Sequence, residues 1–295
     1  MLAIQIIAGL LAAFALFRFV RRRTLLGGIF VLSAAAAFAI TLLADVTPGI
    51  WLLYFVGFWL LFLLVAFLFL CAICAAVDLN KPQYHDSPFY RAVMYVYIEA
   101  LKTLVGLKIT TKGLEKTPKS GRFLLVCNHQ NDSDPGVLLH CFRDSQLAFI
   151  SKRENRNMFA VGKFMHRTMC QMINRENDRE ALKTILKCIQ LIKDDEVSVA
   201  VFPEGGIKAE KKMVHFRSGV FKIAQKAKVP IVVCTLTGTT DLFRNLRRLR
   251  PTHAELHLVG IIPARELEGK TTVEIADRVY DMMITDLGDA WKPEM

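Results

Sequence analysis

The first 77 residues carry almost no charge, and this feature constrains the architecture of the chain more than any other. Up to Val77 the charged residues are the arginines of the segment RFVRRR and one aspartate, Asp45. Three apolar spans result, Met1 to Phe17, Thr24 to Leu43 and Ile50 to Val77. A helix needs about 20 apolar residues to cross the hydrocarbon core of a bilayer. The second and third spans are long enough, and the first is short.

The arginine cluster predicts the orientation of this anchor. Its charges follow the first apolar span, whereas a secretory signal peptide carries them before the apolar run. Positively charged loops stay on the cytoplasmic side, so the chain after Asp78 is also predicted to be cytoplasmic. We therefore predict an integral protein of the cell membrane. Residues 1–77 form its anchor of two or three transmembrane helices, and its C-terminal domain faces the cytoplasm.

The charge of the chain indicates its binding partners, and its cysteines bear on disulfide formation. The 295 residues include 38 Lys and Arg against 27 Asp and Glu, a net charge of +11, and the basic residues concentrate in KAEKKMVHFR and RNLRRLR. A basic surface beside a bilayer attracts anionic lipid headgroups. No zinc-finger spacing, RNA-binding signature or basic zipper is present. We predict anionic membrane lipids as partners and no nucleic acid. A cytoplasmic domain is not expected to form disulfides from its scattered cysteines.

Residues 78–107 connect the anchor to the remainder of the chain. The segment DLNKPQYHDSP ends the apolar region, and Phe89 to Leu107 then places apolar residues at helical spacing. We predict a linker and an amphipathic interfacial helix. Such a helix either lies along the membrane surface or packs on the domain, and the sequence leaves both arrangements open.

From Lys108 onward, strand patterns alternate with helical ones. Seven strands are predicted, in KITTKGLE, RFLLVCN, QLAFIS, CQMINR, VSVAVF, VPIVVCTL and ELHLVGIIP, with helices between most of them. This alternation is typical of an α/β fold with a mostly parallel sheet flanked by helices, here in residues 108–295. Ligands bind beyond the carboxyl ends of the strands in such sheets. The turns that follow the strands are therefore the candidate sites.

The first such turn is CNHQNDSDPG, residues 127–136. His129 directly follows a strand, and an adjacent carboxylate would fix its tautomer and suit it to act as a general base. Asp132 and Asp134 are both close enough in sequence to supply that carboxylate. Asp134 followed by Pro135 is also typical of a helix start, with the aspartate as the N-cap.

Other chemistries for this turn are less well supported. No HExxH motif or Cys/His set completes a metal site, and no metal is predicted. The chain lacks a GxSxG nucleophile elbow. An acyl-enzyme on Cys127 with His129 as base stays open, although an isolated strand cysteine is usually a core residue. If the protein supplies only a base, a substrate hydroxyl must act as the nucleophile on an acyl carbonyl.

Two further turns suggest an anion site. In VFPEGGIK, residues 201–208, a buried strand runs into Glu204 and two glycines, which leave backbone amides open to a ligand. Lys208, Lys211 and Lys212 follow and would suit a phosphate. In MINREND, Arg175 ends a predicted strand, and a surface salt bridge is the alternative role for it.

Together these residues resemble the glycerolipid acyltransferase family, which includes the 1-acyl-glycerol-3-phosphate acyltransferases. NHQNDSD matches the family motif N-H-x-x-x-x-D, with His129 and Asp134 in the histidine and aspartate positions. FPEG matches the third family motif, INR the end of the second and VPIV the fourth, in the family's order. The resemblance covers about Lys108 to the C-terminus and implies a glycerol-3-phosphate acyltransferase-like fold.

The resemblance implies an activity and a set of site residues. The reaction would transfer a fatty acyl group from acyl-CoA or acyl carrier protein to the sn-2 hydroxyl of 1-acyl-glycerol 3-phosphate, giving phosphatidic acid. His129 would be the general base and Asp134 its orienting partner, with no metal or prosthetic group. The predicted substrate-binding residues are Asn128, Arg175, Phe202, Pro203, Glu204, Gly205, Gly206 and Lys208.

One departure from the family pattern affects the acceptor. The family usually continues FPEG with Thr-Arg, whereas this chain has Gly206-Ile207, and Lys208 follows one residue later. Lysine binds phosphate without the bidentate geometry of arginine. Another lysophospholipid or lipid acceptor is therefore an alternative. A membrane-bound acyl-thioester hydrolase and a non-catalytic lipid-binding protein are the others.

Overall fold

The computed structural model describes residues 24–43, 48–207 and 212–292. The chain divides into two compact units, one of residues 1–78 with Val96–Leu101 and one of Leu79–Tyr95 with the chain from Lys102 onward. The helix α3, Pro88–Leu104, contributes residues to both units. The first predicted apolar span and the RFVRRR cluster lie outside the described residues.

The described part of the first unit contains two apolar helices, α1 at Leu25–Leu43 and α2 at Pro48–Ala75. The rings of Phe30 and Phe55 meet edge to face at 5.1 Å between the helices. Within α2, Ile50–Ala75 has a mean hydropathy of 2.9 and is long and apolar enough to cross a membrane. The apolar stretch of α1 is shorter. Of the predicted two or three crossing helices, the described residues thus provide one that meets both criteria.

The second unit is an α/β domain of seven strands and the helices between them. Its strands are β1 (Leu107–Lys112), β2 (Leu124–Cys127), β3 (Leu147–Lys152), β4 (Gln171–Ile173), β5 (Ser198–Val201), β6 (Ile231–Thr237) and β7 (Thr252–Ile262). Its helices after α3 are α4 (Asp134–Cys141), α5 (Val161–Arg167), α6 (Asp178–Lys193), α7 (Lys222–Ala227), α8 (Leu242–Arg247) and α9 (Thr272–Leu287).

The strands form one sheet in the order β1-β7-β6-β2-β5-β3-β4. Strands β2 to β6 are mutually parallel, β7 is antiparallel to β6, and β1 is parallel to β7. The predicted mostly parallel sheet with flanking helices is confirmed, and each of the seven predicted strands is present. The short helix α8 was not predicted.

Two hydrophobic layers cover the two faces of the sheet, as a largely parallel sheet requires. On one face lie α6 and α9, with Ile189 and Val279 among the buried contacts. On the other lies α4, with Leu138. Helix α6 begins at Asn177, whose side chain accepts the backbone N–H of Glu180, and α9 begins with a capping box.

The central strands determine where the two main motifs meet. Strand β2 pairs with β5 in parallel, with Val126 opposite Val201, so both strands end at the same edge of the sheet. The His129 turn follows β2 and the FPEGG turn, residues 202–206, follows β5. The two motifs, more than seventy residues apart in sequence, therefore lie side by side.

Candidate active site

The His129 turn is fixed at its start by Asn128. This side chain is fully buried, donates from Nδ2 to the carbonyl oxygen of Leu236 (2.9 Å) and accepts the backbone N–H of Leu236 (2.7 Å). Asn128 thereby extends the β2–β6 pairing through its side chain and sets the direction in which the chain leaves β2. Its predicted contact with substrate stays a prediction.

His129 and Asp134 form a direct hydrogen bond. His129 Nδ1 lies 2.9 Å from Asp134 Oδ2, and the side chains are 15% and 0% exposed. The same oxygen accepts the backbone N–H groups of Gln130 (2.6 Å) and Asn131 (2.8 Å). Asp134 has only oxygen acceptors to offer, so Nδ1 is the protonated nitrogen and Nε2 carries the lone pair. Nε2 has no hydrogen bond to any residue that the structure describes.

The structure decides between the two aspartates and corrects the helix-cap interpretation. Asp132 is exposed to solvent. Ser133 occupies the N-cap of α4, and Asp134 is the first residue within the helix. Its carboxylate bonds backwards to the turn that precedes the helix. Asp134 therefore braces the His129 turn, and it does not cap α4.

Phe202 covers one face of the His129 ring. The two ring centroids are 4.1 Å apart and the planes differ by 16°. Phe149 in β3 stacks behind Phe202 at 6.0 Å. This aromatic stack and the Asp134 hydrogen bond together restrict the rotation of the imidazole. The predicted contact of Phe202 with substrate stays a prediction.

Glu204 joins the two turns. Its Oε1 accepts the backbone N–H of His129 at 2.8 Å, and the carboxylate also accepts the backbone N–H of Val214. The residue is 8% exposed, and burial raises the pKa of Glu204 to about 7 against the opposing effect of these hydrogen bonds. The carboxylate thus points into the protein, and its observed contacts position the His129 turn.

Glycine is required at the first turn position after Glu204. The backbone N–H of Gly205 bonds to the carbonyl oxygen of Phe202 (3.1 Å), and Gly205 has φ +76°. A Cβ at this position would lie 2.7 Å from Nε of Arg217. The backbone of Arg217 is held to the same turn, because its N–H donates to the carbonyl oxygen of Pro203 at 2.9 Å. A side chain would therefore displace the arginine as well as strain the backbone.

Two arginines flank this turn. A Cβ on Gly206 would lie 3.6 Å from Nη1 of Arg175, and Arg217 takes the corresponding place beside Gly205. Partial burial, followed by the charge of Arg217, lowers the pKa of Arg175, while Glu154 acts in the opposite direction. No ion pair to either guanidinium is present within residues 24–43, 48–207 and 212–292. Two like charges beside this turn form a site suited to an anion.

Arg217 was missed by the sequence analysis, and Lys208 lies outside the described residues. The signal for Arg217 was present in KAEKKMVHFR, which ends at this residue. That segment was interpreted as a basic surface, and only its lysines were expected to suit a phosphate. The fold instead returns its last residue to the FPEGG turn.

Cys127 does not have the surroundings of a nucleophile. It is fully buried, and burial raises the pKa of its thiol well above the ordinary value. Because the thiolate is the reactive form, this environment disfavours the acyl-enzyme on Cys127. Within the described ranges, no three His, Cys, Asp or Glu side chains come together as a metal site.

The chain is similar to known acyltransferases in sequence and in fold. Residues 108–237 match the Acyltransferase family. A probable 1-acyl-sn-glycerol-3-phosphate acyltransferase of Mycoplasma pneumoniae is 30% identical over 179 residues, covering 59% of this chain and 64% of the relative. Human 1-acyl-sn-glycerol-3-phosphate acyltransferase alpha is 25% identical over 260 residues, covering 82% of this chain and 92% of the relative.

A solved structure shares the fold. The 1-acyl-sn-glycerophosphate (LPA) acyltransferase PlsC from Thermotoga maritima superposes with a TM-score of 0.55 at 21% identity, covering 69% of this chain and 81% of the other. The family match includes the His129 turn, Arg175 and the FPEGG turn. The similarity to the acyltransferase family thus extends over residues 108–237, the part of the chain that carries both motifs.

Proposed function

We propose that this protein transfers a fatty acyl group from a thioester, acyl-CoA or acyl carrier protein, to the sn-2 hydroxyl of 1-acyl-glycerol 3-phosphate. The product is phosphatidic acid. The observation that carries the proposal is the pairing of His129 with the buried Asp134, which leaves the Nε2 lone pair for a substrate proton. The names of the relatives support the choice of acceptor.

The reaction needs a base but no protein nucleophile. His129 Nε2 takes the proton of the acceptor hydroxyl as its oxygen attacks the thioester carbonyl carbon. A C–O bond forms, the tetrahedral intermediate collapses, and the C–S bond breaks. The proton then passes from His129 to the leaving thiolate. Asp134 holds the ring in the required tautomer and stabilises the imidazolium while it carries the proton.

The acceptor phosphate binds between Arg175 and Arg217. The guanidinium groups flank the FPEGG turn, so a phosphate there relieves the repulsion between them. Glu204 supports the site indirectly by joining this turn to the backbone of His129. Direct substrate contacts by Pro203, Gly205 and Lys208 stay predictions.

The apolar helix α2 is compatible with association of the enzyme with a membrane, where its lipid acceptor resides. We propose an integral membrane enzyme with its catalytic domain on the cytoplasmic face. Acyl-CoA or acyl carrier protein serves as co-substrate, and no metal or prosthetic group takes part.

The test uses membranes that carry the full-length wild-type protein or His129→Ala. They receive radiolabelled oleoyl-CoA with 1-acyl-glycerol 3-phosphate, glycerol 3-phosphate, a lysophosphatidylcholine or no acceptor, and the lipids are then separated. A parallel series uses oleoyl-acyl carrier protein. His257→Ala is the matched control, because His257 also pairs with an aspartate, but one that lies on α9 and not in a strand-end turn.

We expect labelled phosphatidic acid from the wild type and His257→Ala, and none above background from His129→Ala. Label mainly in another diacyl lipid would replace the proposed acceptor while retaining the mechanism. Free fatty acid released without an acceptor would identify a hydrolase. Turnover by His129→Ala equal to that of the wild type would overturn the role of His129.

A further inference from the structure

The segment between β6 and β7 forms a basic loop, defined here as residues 242–250 and including helix α8. Its sequence LFRNLRRLR contains four arginines, at 244, 247, 248 and 250. All four are exposed. Arg244 pairs with Asp241 at 2.9 Å, whereas the other three have no ion pair to a residue that the structure describes. The loop therefore presents three uncompensated positive charges.

Two large apolar side chains stand among these charges. Phe243 is 55% exposed and Leu249 is 92% exposed. Leu249 also has φ +52°, an uncommon backbone region for a bulky side chain. A leucine at this position therefore gains no stability from burial and adopts an unfavourable backbone conformation. Apolar side chains interspersed with basic ones are typical of segments that insert into a membrane interface.

The loop is held in shape by its own hydrogen bonds. The carbonyl oxygen of Asn245 accepts the backbone N–H groups of both Arg248 (3.0 Å) and Arg250 (2.9 Å), and the side chain of Asn245 donates to Thr252 Oγ1 (3.2 Å). Leu242 is buried and anchors α8. Leu249 is consequently presented by a defined turn between two arginines.

The basic loop lies at the same edge of the sheet as the candidate active site. It follows the carboxyl end of β6, and the side chain of Asn128, one residue before His129, bonds to Leu236 in that strand. A second exposed leucine, Leu104, lies near this edge. Leu104, 69% exposed, lies just before Gly106, whose carbonyl oxygen accepts the backbone N–H of Thr252 at 3.1 Å.

We propose that the basic loop is a contact surface for an anionic bilayer. Leu249 and Phe243 enter the headgroup region, and the arginines at 247, 248 and 250 bind lipid phosphates. The carboxyl edge of the sheet then faces the bilayer that contains a lipid acceptor. Each basic residue near an anionic membrane strengthens attraction about fivefold, so the three together contribute about a hundredfold at low salt.

The first experiment does not depend on catalysis. Full-length protein carries a photo-crosslinking amino acid in place of Leu249. It is reconstituted in nanodiscs of phosphatidylcholine alone or of phosphatidylcholine with about 30% phosphatidylglycerol, an anionic lipid. Glu268 is the matched control position, because it is exposed and follows the opposite end of β7. We expect lipid adducts at position 249, more in the anionic discs, and few at position 268.

The second experiment removes the charges. Arg247→Gln, Arg248→Gln and Arg250→Gln are combined, and Lys112→Gln, Lys116→Gln and Lys119→Gln form a control of equal charge change among exposed lysines at the other edge. The arginine variant should lose at least tenfold of the adduct yield in anionic discs. It should retain acyl transfer to a short-chain, water-soluble acceptor. The lysine variant should behave like the wild type in both assays.

Three outcomes would overturn the proposal. The first is equal adduct yield at positions 249 and 268, and the second is an arginine variant whose yield matches that of the lysine variant. The third is protection of position 249 by added RNA with no lipid adducts, which would assign the basic loop to nucleic acid. Failure of acyl transfer in every sample would contradict the proposed function but leave the adduct comparison valid.

Discussion

Two histidine–aspartate pairs occur among the described residues of the domain, and one of them has the surroundings of an active site. His129 Nδ1 meets Asp134 at 2.9 Å, and His257 Nδ1 meets Asp286 at 2.6 Å. Both pairs thus contain the same hydrogen bond between the same side chains. His257 lies within β7, however, and Asp286 near the end of α9, whereas His129 and Asp134 share a turn at a strand end.

The partners around each pair account for the difference. The second oxygen of Asp286 accepts the hydroxyl of Thr235, so that pair ties a strand and a helix together. Asp134 instead receives backbone N–H groups of the His129 turn, and the ring of His129 is stacked on Phe202. A His–Asp contact is therefore insufficient for function. A rigid strand-end turn and an adjacent anion site distinguish the first pair from the second.

Replacement of each histidine by alanine tests this distinction most directly. His129→Ala should lower kcat about 10⁴-fold, the upper range for loss of a general base. His257→Ala should retain turnover within about twofold of the wild type. Acyl transfer in membranes is measured for both, with circular dichroism to confirm folding. A comparable loss of turnover in folded His257→Ala would remove the contrast between the pairs.

The aspartates provide the next comparison. Asp134→Asn places an amide where His129 Nδ1–H needs an acceptor, so the opposite tautomer is favoured and kcat should fall about 10³-fold with little change in KM. Asp286→Asn, whose carboxylate joins Thr235 and His257 and not the His129 turn, should leave kcat unchanged. Steady-state kinetics with varied acyl-CoA and varied acceptor separate kcat from KM. An increase in KM alone for Asp134→Asn would instead indicate a binding role.

Glu204 gives the first pair an acidic neighbour whose ionisation destabilises the fold. Its pKa is raised from 4.5 to about 7, so its stabilising contribution is fully present below about pH 4.5 and is lost as the pH rises through about 7. The loss is on the order of 3 kcal/mol in the free energy of unfolding. Glu204→Gln keeps an acceptor oxygen for His129 N–H but cannot ionise.

Thermal unfolding at pH 5 and pH 8 measures this effect. Glu204→Gln should lose less stability than the wild type between these pH values, whereas Glu266→Gln, on the exposed surface, should follow the wild type. An unchanged pH dependence in Glu204→Gln would show that Glu204 is ionised at the ordinary pH. Glu204→Ala lacks the acceptor altogether and should lower both stability and turnover.

The sequence predicted the first pair because both of its residues lie within one short segment. NHQNDSD places the base and its partner within one turn, and apolar strands on either side predicted the sheet that holds them. Spacing alone left both Asp132 and Asp134 open, and the family motif selected Asp134. His257 and Asp286 have no such local pattern, and only the packing of α9 on the sheet brings them together.

Other features could not be predicted because they depend on the direction of a strand or on contacts between segments distant in sequence. The apolar pattern of β7 does not reveal that this strand is antiparallel to β6, because side-chain alternation is the same in both directions. Helix α8 has only six residues and interrupts its apolar spacing with arginines. Arg217 was missed because the residues between it and the FPEGG turn give no indication that the chain turns back.

Arg175 and Arg217 flank the FPEGG turn beside the first pair. Among the described ion pairs, no arginine contacts His257 or Asp286. Arg217→Ala should raise KM for 1-acyl-glycerol 3-phosphate by about 10- to 50-fold, the loss of a charged hydrogen bond, with KM for acyl-CoA unchanged. Arg217→Lys should recover part of this loss. Arg278→Ala, which breaks a surface ion pair with Glu266, is the control. An equal rise in KM for phosphate-free monoacylglycerol would contradict a phosphate contact.

The smallest effect on turnover is expected from replacing Cys127, the residue whose thiol would be the nucleophile if an acyl-enzyme formed beside His129. Its thiol is fully buried with a raised pKa, so Cys127→Ala should retain turnover within about twofold and lose about 1 kcal/mol of stability to the small cavity. Cys188→Ala is matched, because Cys188 is equally buried, and burial raises the pKa of its thiol to about 12. Loss of turnover in folded Cys127→Ala but not in Cys188→Ala would establish an acyl-enzyme, and His129 would then activate a thiol and not the acceptor hydroxyl. Equal, near-wild-type turnover in both variants leaves the acceptor hydroxyl as the nucleophile.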